Sequence, residues 1–341
     1  MKTLSIMLVF TVALFVCLPT FFAPGPSAAE ALPAQTSDAD YWKMISEFSE
    51  PNGYFQYDIV TSNETSYQYV LPELMKNAKA GGVYLGVGPE QNFTYIAALQ
   101  PKIAFIIDIR RDMMLEHLIY KAVFEFAENR ADFVSNLFSR KRPADLAADA
   151  PVLTLFQAYS TVPADRGLAD EHFRNIMSRL KTTHHFPITA EDETRMRTMY
   201  MTFLREGVVN FSASFMSPGY ASLMLATDGA GKNWSYLVSK ENYDRVRTLQ
   251  LKNLIVPLVG DFAGPKAIRM TGQYLKDHGA IANVFYISNV EDYIQTTWPA
   301  YAGNIASLPI DSSSVFIRWA PGTVPSLVSI ADFNRSQSRV R

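Results

Sequence analysis

Two glycines and one aspartate stand where they could hold a nucleoside. Gly86 and Gly88 follow the short apolar run 83–85, and Asp108 ends the apolar run 103–107. The glycines permit a tight turn, and a helix that begins after them offers free N–H groups to an anionic group. Asp108 lies where dinucleotide-binding folds place an acid that accepts hydrogen bonds from ribose hydroxyls. Together these residues predict a nucleoside-type ligand.

Each of these features also has a purely structural interpretation. The Gly-Val-Gly segment is compatible with an ordinary strand-to-helix turn, because so short a motif recurs by chance. Asp108 could pair with the adjacent Arg110 and Arg111 in a surface ion cluster. The two arginines could instead hold a phosphate or carboxylate through bidentate contacts. The residues alone leave these alternatives open.

Further polar residues follow later apolar runs. Asp261 comes shortly after the run 254–259, and Asn289 and Glu291 come after the run 280–287. In open parallel sheets, ligands bind at the carboxyl ends of the strands. We therefore expect these three side chains to share one edge of the sheet with the glycine turn.

The elements that must position these residues follow from the periodicity of the apolar residues. Strands are predicted over 83–85, 103–107, 254–259, 280–287 and 315–319, and helices over 67–77, from the glycine turn to about 99, over 113–129 and over 265–277. Short strands alternating with amphipathic helices indicate an α/β fold with a doubly wound, mainly parallel Rossmann-like sheet. The region between the second and third strands shows helical patterns but no βα repeat, which predicts a largely helical insertion.

The chain is divided on these grounds into six parts. They are a signal peptide (1–29), a linker (30–40), the first part of the Rossmann-like domain (41–129), a mostly helical insertion or lid (130–252), the second part of the domain (253–330) and a polar tail (331–341).

The N-terminal segment has the layout of a bacterial secretory signal. Lys2 precedes an apolar run from Ile6 to Leu18, and Ser27-Ala28-Ala29 supplies small residues for cleavage. This layout predicts an exported protein, periplasmic or secreted. An uncleaved membrane anchor is the alternative, because a helix needs roughly 20 apolar residues to span a bilayer. Cys17 is the only cysteine, so the cleaved protein would have neither a disulfide nor a thiolate nucleophile.

Composition narrows the range of partners. Lysine and arginine number 31 against 33 aspartates and glutamates, for a net charge of −2, and no broad basic face is evident. Nucleic acid is therefore not a predicted partner. The 48% hydrophobic content supplies a sizeable core and excludes a disordered chain.

The order of the motifs resembles that of Rossmann-fold S-adenosylmethionine-dependent methyltransferases. The matching segments are Val83-Tyr84-Leu85-Gly86-Val87-Gly88, Asp108, Gly260-Asp261 and Ser288-Asn289-Val290. The resemblance implies S-adenosyl-L-methionine as cofactor, with its methionine part at the turn that contains Gly86, Gly88 and Glu90. It also implies that Asp108 holds the ribose and that Asp261 contacts adenine.

The chain departs from this family at two positions. Tyr84 stands where methyltransferases usually have an acid, and Glu90 stands where a third small residue is common. From Tyr41 to Trp319 the chain also resembles a group of bacterial proteins of unassigned function with a methyltransferase-like fold.

Two functions follow as hypotheses. In a methyltransferase, Asn289 or Glu291 would orient or deprotonate the group that attacks the sulfonium methyl. Alternatively, the chain is a non-catalytic exported protein that binds or senses a small molecule with a degenerate methyltransferase fold. Export favours the second, because S-adenosylmethionine is made in the cytoplasm. In both cases the predicted partner is a small-molecule or nucleoside-type ligand.

Two weaker candidates remain. Asn63 and Glu64 precede the first predicted helix, and they either close over the pocket or cap that helix. His184 and His185 have no third ligand at metal spacing, which favours a surface loop and predicts no metal site.

Overall fold

The computed structural model describes residues 31–57, 59–77, 80–206 and 219–338. The predicted signal peptide, 1–29, lies outside these ranges. Within them, none of the helices combines the length and the apolar character that crossing a membrane requires.

A six-stranded sheet lies at the centre of the described chain. Its strands are β1 (Val83–Gly86), β2 (Ile103–Asp108), β3 (Ile255–Val259), β4 (Ala282–Ser288), β5 (Val315–Arg318) and β6 (Ser326–Ser329). The order across the sheet is β3-β2-β1-β4-β5-β6, and every pairing is parallel except that of β5 with β6. The prediction of an α/β fold with a mainly parallel sheet is confirmed.

The first three strands are buried along their whole length. Burial on both faces explains why their sequences are continuous apolar runs instead of alternating patterns. Because β1 to β5 are parallel, their last residues meet at one edge of the sheet, the carboxyl edge. Asp108, the last residue of β2, lies there.

Helices pack around this sheet. They are α1 (Asp38–Phe48), α2 (Leu71–Asn77), α3 (Gln91–Leu99), α4 (Arg111–Phe126), α5 (Arg130–Phe138), α6 (Val152–Ser160), α7 (Arg166–Ser178), α8 (Ala190–Glu206), α9 (Tyr220–Leu225), α10 (Lys240–Leu251), α11 (Ala267–Asp277), α12 (Trp298–Ala306) and α13 (Ile330–Ser338). One group, α3, α4 and α10, is held together by contacts of α10 with the other two, and α11 contacts α1 and α12 in a second group. Both groups reach the central strands, since α4 and α11 contact β2.

The described residues of the insertion are mostly helical, as predicted. Its helix α8 packs along α4 and α7. Two ion pairs join the N-terminal part of α8 to the first turn of α4, from Arg111 to Asp192 at 2.6 Å and from Arg195 to Asp112 at 3.0 Å. The described part of the insertion therefore meets the carboxyl edge at the start of α8, and its Tyr220 and Tyr236 also approach Glu90.

Both ends of the described chain differ from the prediction. Helix α1 begins inside the expected linker, where Ser37 caps it by accepting the Asp40 N–H. Thr36 pairs through its N–H with the Lys252 carbonyl at 3.0 Å. Helix α13 occupies most of the expected polar tail, because Phe333 is buried against Trp298 of α12. One buried aromatic side chain among polar neighbours is too weak a pattern to predict a helix.

A segment that the sequence analysis did not predict crosses the carboxyl edge. Residues 49–57 and 59–66, here called the strap, run from the end of β3 past the ends of β2 and β1. The Glu50 N–H donates to the Val259 carbonyl at 2.8 Å, and the Gly53 N–H donates to the Ile109 carbonyl at 2.9 Å. The Glu50 carboxylate also accepts the N–H groups of Lys266 and Ala267 at 2.8 Å, which caps α11. The strap thus covers the carboxyl edge together with the described part of the insertion.

Away from this edge, a buried ionic cluster ties α1 to α4. The Lys121 ammonium lies 2.8 Å from the Glu125 carboxylate, and His184 bridges Glu125 and Asp38 at 2.8 and 2.9 Å. Burial lowers the pKa of His184, but its hydrogen bonds and ion pairs with Glu125 and Asp38 outweigh this effect and raise it. His184 is therefore an internal bridge between elements instead of a residue of a free surface loop.

Candidate functional site

Four acidic side chains are buried at the carboxyl edge. Glu64 comes from the strap, Glu90 from the turn after β1, Asp108 from the end of β2 and Glu116 from α4. Their exposed fractions are 2%, 0%, 7% and 0%. We call these four residues the acid cluster. Burying several carboxylates close together is costly unless they are protonated or bound to positive charge.

Glu64 joins the strap to the end of β4. Its Oε1 accepts hydrogen bonds from the hydroxyls of Tyr286 and Ser288, the latter at 2.5 Å. Burial raises the pKa of Glu64 to about 7, although these two hydrogen bonds lower it in part. Ser288 has a φ of 52°, a left-handed conformation that is uncommon for serine and that accompanies its contact with Glu64.

Glu90 occupies the start of α3. Its carboxylate accepts the Ser62 N–H at 3.2 Å and also a hydrogen bond from its own N–H. Burial raises the pKa of Glu90 to about 8 despite these hydrogen bonds. Glu90 is thus the N-cap residue of α3, but its carboxyl group bonds the strap instead of the N–H groups of the first helical turn.

Glu116 and His117 reach the same turn from α4. Burial raises the pKa of Glu116 well above its ordinary value, and the nearby Glu90 adds to this effect. Burial also lowers the pKa of His117 to about 4, so its ring is neutral at pH 7. His117 Nε2 lies 2.9 Å from the Gly88 carbonyl and must be the protonated nitrogen. Its Nδ1 is then a hydrogen-bond acceptor.

Several buried acceptors in this region have no hydrogen-bond partner among the described residues. They are Glu64 Oε2, Gln91 Oε1, both carboxylate oxygens of Glu116 and His117 Nδ1. They belong to one connected region, because Gln91 Nε2 donates to Tyr286 at 3.1 Å and to the Val87 carbonyl at 3.4 Å. Buried polar atoms are normally paired, so these atoms need bound water or a ligand as hydrogen-bond partners.

Asp108 lies at the carboxyl edge as predicted, and it also pairs with Arg110. Its Oδ1 accepts the Arg110 N–H at 2.9 Å and lies 3.5 Å from Arg110 Nε. The guanidinium of Arg110 donates to the strap carbonyls of Tyr57 and Ile59 at 3.3 and 3.1 Å. Arg111 points elsewhere and pairs with Asp192. Asp108 thus anchors the strap through Arg110.

The glycine turn is filled by side chains of the protein itself. A Cβ atom on Gly86 would collide with Asn92 Oδ1 and lie 2.9 Å from the Tyr84 hydroxyl. Tyr84 donates to Asn92 Oδ1 at 2.7 Å, and Asn92 Nδ2 donates to three carbonyls of the turn, the shortest bond being 2.8 Å to Pro89. Gly88 has a φ of 79°, which requires glycine. Packing within the protein therefore explains why Gly86 is small.

The structure places the remaining predicted residues close to the same edge but gives them internal partners. Asp261 Oδ1 accepts the Ala263 N–H at 2.8 Å in a local turn. Glu291 forms an ion pair with Arg318 at 2.8 Å and accepts the Tyr301 hydroxyl at 2.9 Å. Glu291 thereby links the end of β4 to β5, and this geometry gives no support to a role as a base.

Asn289 is half-buried beside Ser288. Its Nδ2 lies 3.4 Å from Asp292, and the Ser288 hydroxyl lies 3.4 Å from its Oδ1. These contacts are long for hydrogen bonds, so the amide remains able to turn toward a ligand.

The family model described as Domain of unknown function (DUF7790) matches residues 59–336 of the chain. The chain belongs to this family. No curated protein matches the chain. The part that matches the DUF7790 family contains the whole acid cluster.

Sequence reasoning identified half of the acid cluster in this DUF7790 chain. Asp108 and Glu90 were predicted as ligand-binding residues, and Glu64 was weighed equally as a pocket residue and as a helix cap. Glu116 and His117 were missed because they lie within an apolar helical pattern. In the sequence they form a pair of ionisable residues within an otherwise apolar helical pattern. Ionisable side chains that are buried need hydrogen-bond partners, an opposite charge or a ligand.

Proposed function

We propose that the protein binds a nucleoside-type ligand under the strap, in a Rossmann-like fold of the methyltransferase type. The observation that carries this proposal is the position of the unpartnered acceptors. Glu64 Oε2 and Gln91 Oε1 lie near the ends of β1 and β4, where the order of strands in the sheet reverses, since both side chains contact Tyr286. Open α/β sheets bind their ligands at this switch point.

The fit of S-adenosyl-L-methionine to these residues is uneven. Its ribose hydroxyls, amino groups and positive charge suit a site of buried acceptors and acids. Its methionine carboxylate does not suit the start of α3, because a second acid, the buried Glu90, is the N-cap residue there. The proposal is therefore supported by the fit of the nucleoside and of the positive charge of S-adenosyl-L-methionine. The fit of its carboxylate gives no support.

Thermal unfolding with a panel of ligands tests the proposed function. The panel contains S-adenosylmethionine, S-adenosylhomocysteine, adenosine and ATP. A ligand at about 100 times its Kd stabilises the folded state by about 2.7 kcal/mol, which raises the Tm by several degrees. At least one adenosine compound is expected to do this. Unchanged Tm values with the whole panel at millimolar concentration would refute the proposal.

Replacing Asp108 by asparagine is expected to weaken the nucleoside ligand. Asparagine keeps an oxygen for the Arg110 N–H but removes the charge that strengthens hydrogen bonds from ribose hydroxyls. Affinity should fall about tenfold, equivalent to about 1.4 kcal/mol. Isothermal titration measures this change. Asp277→Asn, an exposed residue at the far end of α11, is the control, and equal affinity of the two variants would remove Asp108 from the site.

Ligand binding without methyl transfer is the second candidate function. It is favoured by the engagement of Glu291 with Arg318 and Tyr301, which leaves the predicted base without a free carboxylate. Mass spectrometry of S-adenosylmethionine after long incubation with the protein distinguishes the two. Intact ligand supports a binding protein, and release of S-adenosylhomocysteine supports a methyltransferase.

A further inference from the structure

The acid cluster contains more carboxyl groups than cationic groups. Within the described residues, Arg110 is the cation that interacts with it, through Asp108 and Glu116. The other ionisable group in contact with the turn, His117, is neutral at pH 7. The cluster therefore holds four carboxyl groups against one guanidinium.

The unpartnered atoms point to the same kind of ligand. Glu64 Oε2, Gln91 Oε1 and His117 Nδ1 are all acceptors, since Gln91 uses its amide N–H groups for Tyr286 and Val87. Two of these three groups are not acids, so the need for donors is independent of the excess of carboxyl groups. A ligand that satisfies them must bring N–H groups, hydroxyls or positive charge.

We propose that the ligand of this site is an organic cation and that its charged sulfonium or ammonium group binds the Glu64 carboxylate. This inference rests on the proposed function, because it names the chemistry of the same ligand. The Tyr286 and Ser288 hydroxyls fix Oε1 of Glu64, which leaves Oε2 for the cation. Since Glu64 belongs to the strap, binding of the cation also fastens the strap over the carboxyl edge.

Affinity for a cation must depend on the protonation of Glu64. The titratable groups that interact with Glu64 from neighbouring elements are the phenols of Tyr84 on β1, Tyr95 on α3 and Tyr286 on β4. Burial raises the pKa of each of them well above its ordinary value, so they stay neutral between pH 6 and 8. With the pKa of Glu64 at about 7, the ionised fraction rises about tenfold over this interval.

The test compares S-adenosylmethionine with S-adenosylhomocysteine by isothermal titration. The two compounds share the nucleoside and differ in the sulfonium charge. At pH 8 the wild-type protein is expected to bind the sulfonium compound at least tenfold more tightly, and this preference should shrink about tenfold at pH 6. Glu64→Gln keeps the acceptor for Tyr286 and Ser288 but removes the charge, and should abolish the preference. Glu73→Gln, an exposed acid on α2, should retain it.

The outcomes separate this inference from the proposed function. Equal affinity for both compounds at pH 8, or a preference that survives Glu64→Gln, would overturn the inference while leaving nucleoside binding intact. Binding of spermidine or putrescine that depends on Glu64, with no binding of any adenosine compound, would support the cation site and refute the nucleoside assignment. Stabilisation by Mg²⁺ or Ca²⁺ but by no organic cation would overturn the inference. Circular dichroism confirms that each variant is folded.

Discussion

The free energy of unfolding of the ligand-free protein is expected to fall as the pH rises from 5 to 9. Burial raises the pKa of Glu64 to about 7 and that of Glu90 to about 8, both above the ordinary 4.5 of an unfolded glutamate. The folded state therefore keeps protons that the unfolded state releases. The stability from these two groups is fully present below about pH 4.5 and is lost as the pH passes through 7 and 8. For Glu64 alone the loss is about 3 kcal/mol.

Urea titration at each pH measures this loss, and the double variant Glu64→Gln, Glu90→Gln isolates its source. A neutral amide cannot ionise, so the variant should show a much flatter profile. Glu116 and His184, whose raised pKa values act in the same direction, and His117, whose lowered pKa acts in the opposite direction, are unchanged in the variant and together set the slope that remains. Glu73→Gln should behave like the wild type. A wild-type profile that is already flat from pH 5 to 9 would show that these carboxyls are not buried and protonated.

Replacing Gly86 by valine is expected to destabilise the fold by about 3 kcal/mol or more. The new Cβ would collide with Asn92 Oδ1 and with the hydroxyl of Tyr84. The Asn92 carboxamide cannot move freely, because it holds three carbonyls of the turn. Chemical denaturation measures the free energy of unfolding of the variant. If the loss exceeds the stability of the protein, the variant will not accumulate in folded form.

Two comparisons keep this prediction specific. Gly303→Ala in α12 adds a methyl group that meets only Arg269 at 3.7 Å, and it should be neutral or stabilise the helix by up to about 1 kcal/mol. Gly86→Ala should cost less when Asn92 is also alanine, because the colliding oxygen is gone. A Gly86→Val protein with wild-type stability but weakened ligand binding would instead mean that the ligand, and not Asn92, requires the glycine.

Much of the sheet could be predicted from the sequence. The runs 83–85, 103–107 and 254–259 are apolar at nearly every position because strands buried on both faces need no polar residues. Strand β6 was missed, since Ser326–Ser329 is short, partly exposed and lies at the edge of the sheet. Its pairing with β5 depends on tertiary contacts that no local pattern reveals.

The edge of the sheet was predictable, but the partners of its residues were not. Parallel strands bring Asp108 and Ser288 to one edge whatever the loops do. The strap follows an irregular path with no periodicity, so neither its course nor its contact between Glu64 and Ser288 could be derived. The ion pair of Glu291 with Arg318 likewise joins residues far apart in the chain. The position of Glu291 after β4 therefore did not reveal this ion pair.

This member of the DUF7790 family thus has a mainly parallel sheet whose switch point is lined by carboxyl groups and crossed by the strap. The most direct test is a crystal structure of the protein grown with S-adenosylmethionine at pH 8. Electron density for the ligand is expected beneath the strap, with its sulfonium beside Glu64 and its ribose beside Asp108. Ligand density elsewhere on the protein, or a carboxyl edge identical to that of the free protein at saturating ligand, would contradict this expectation.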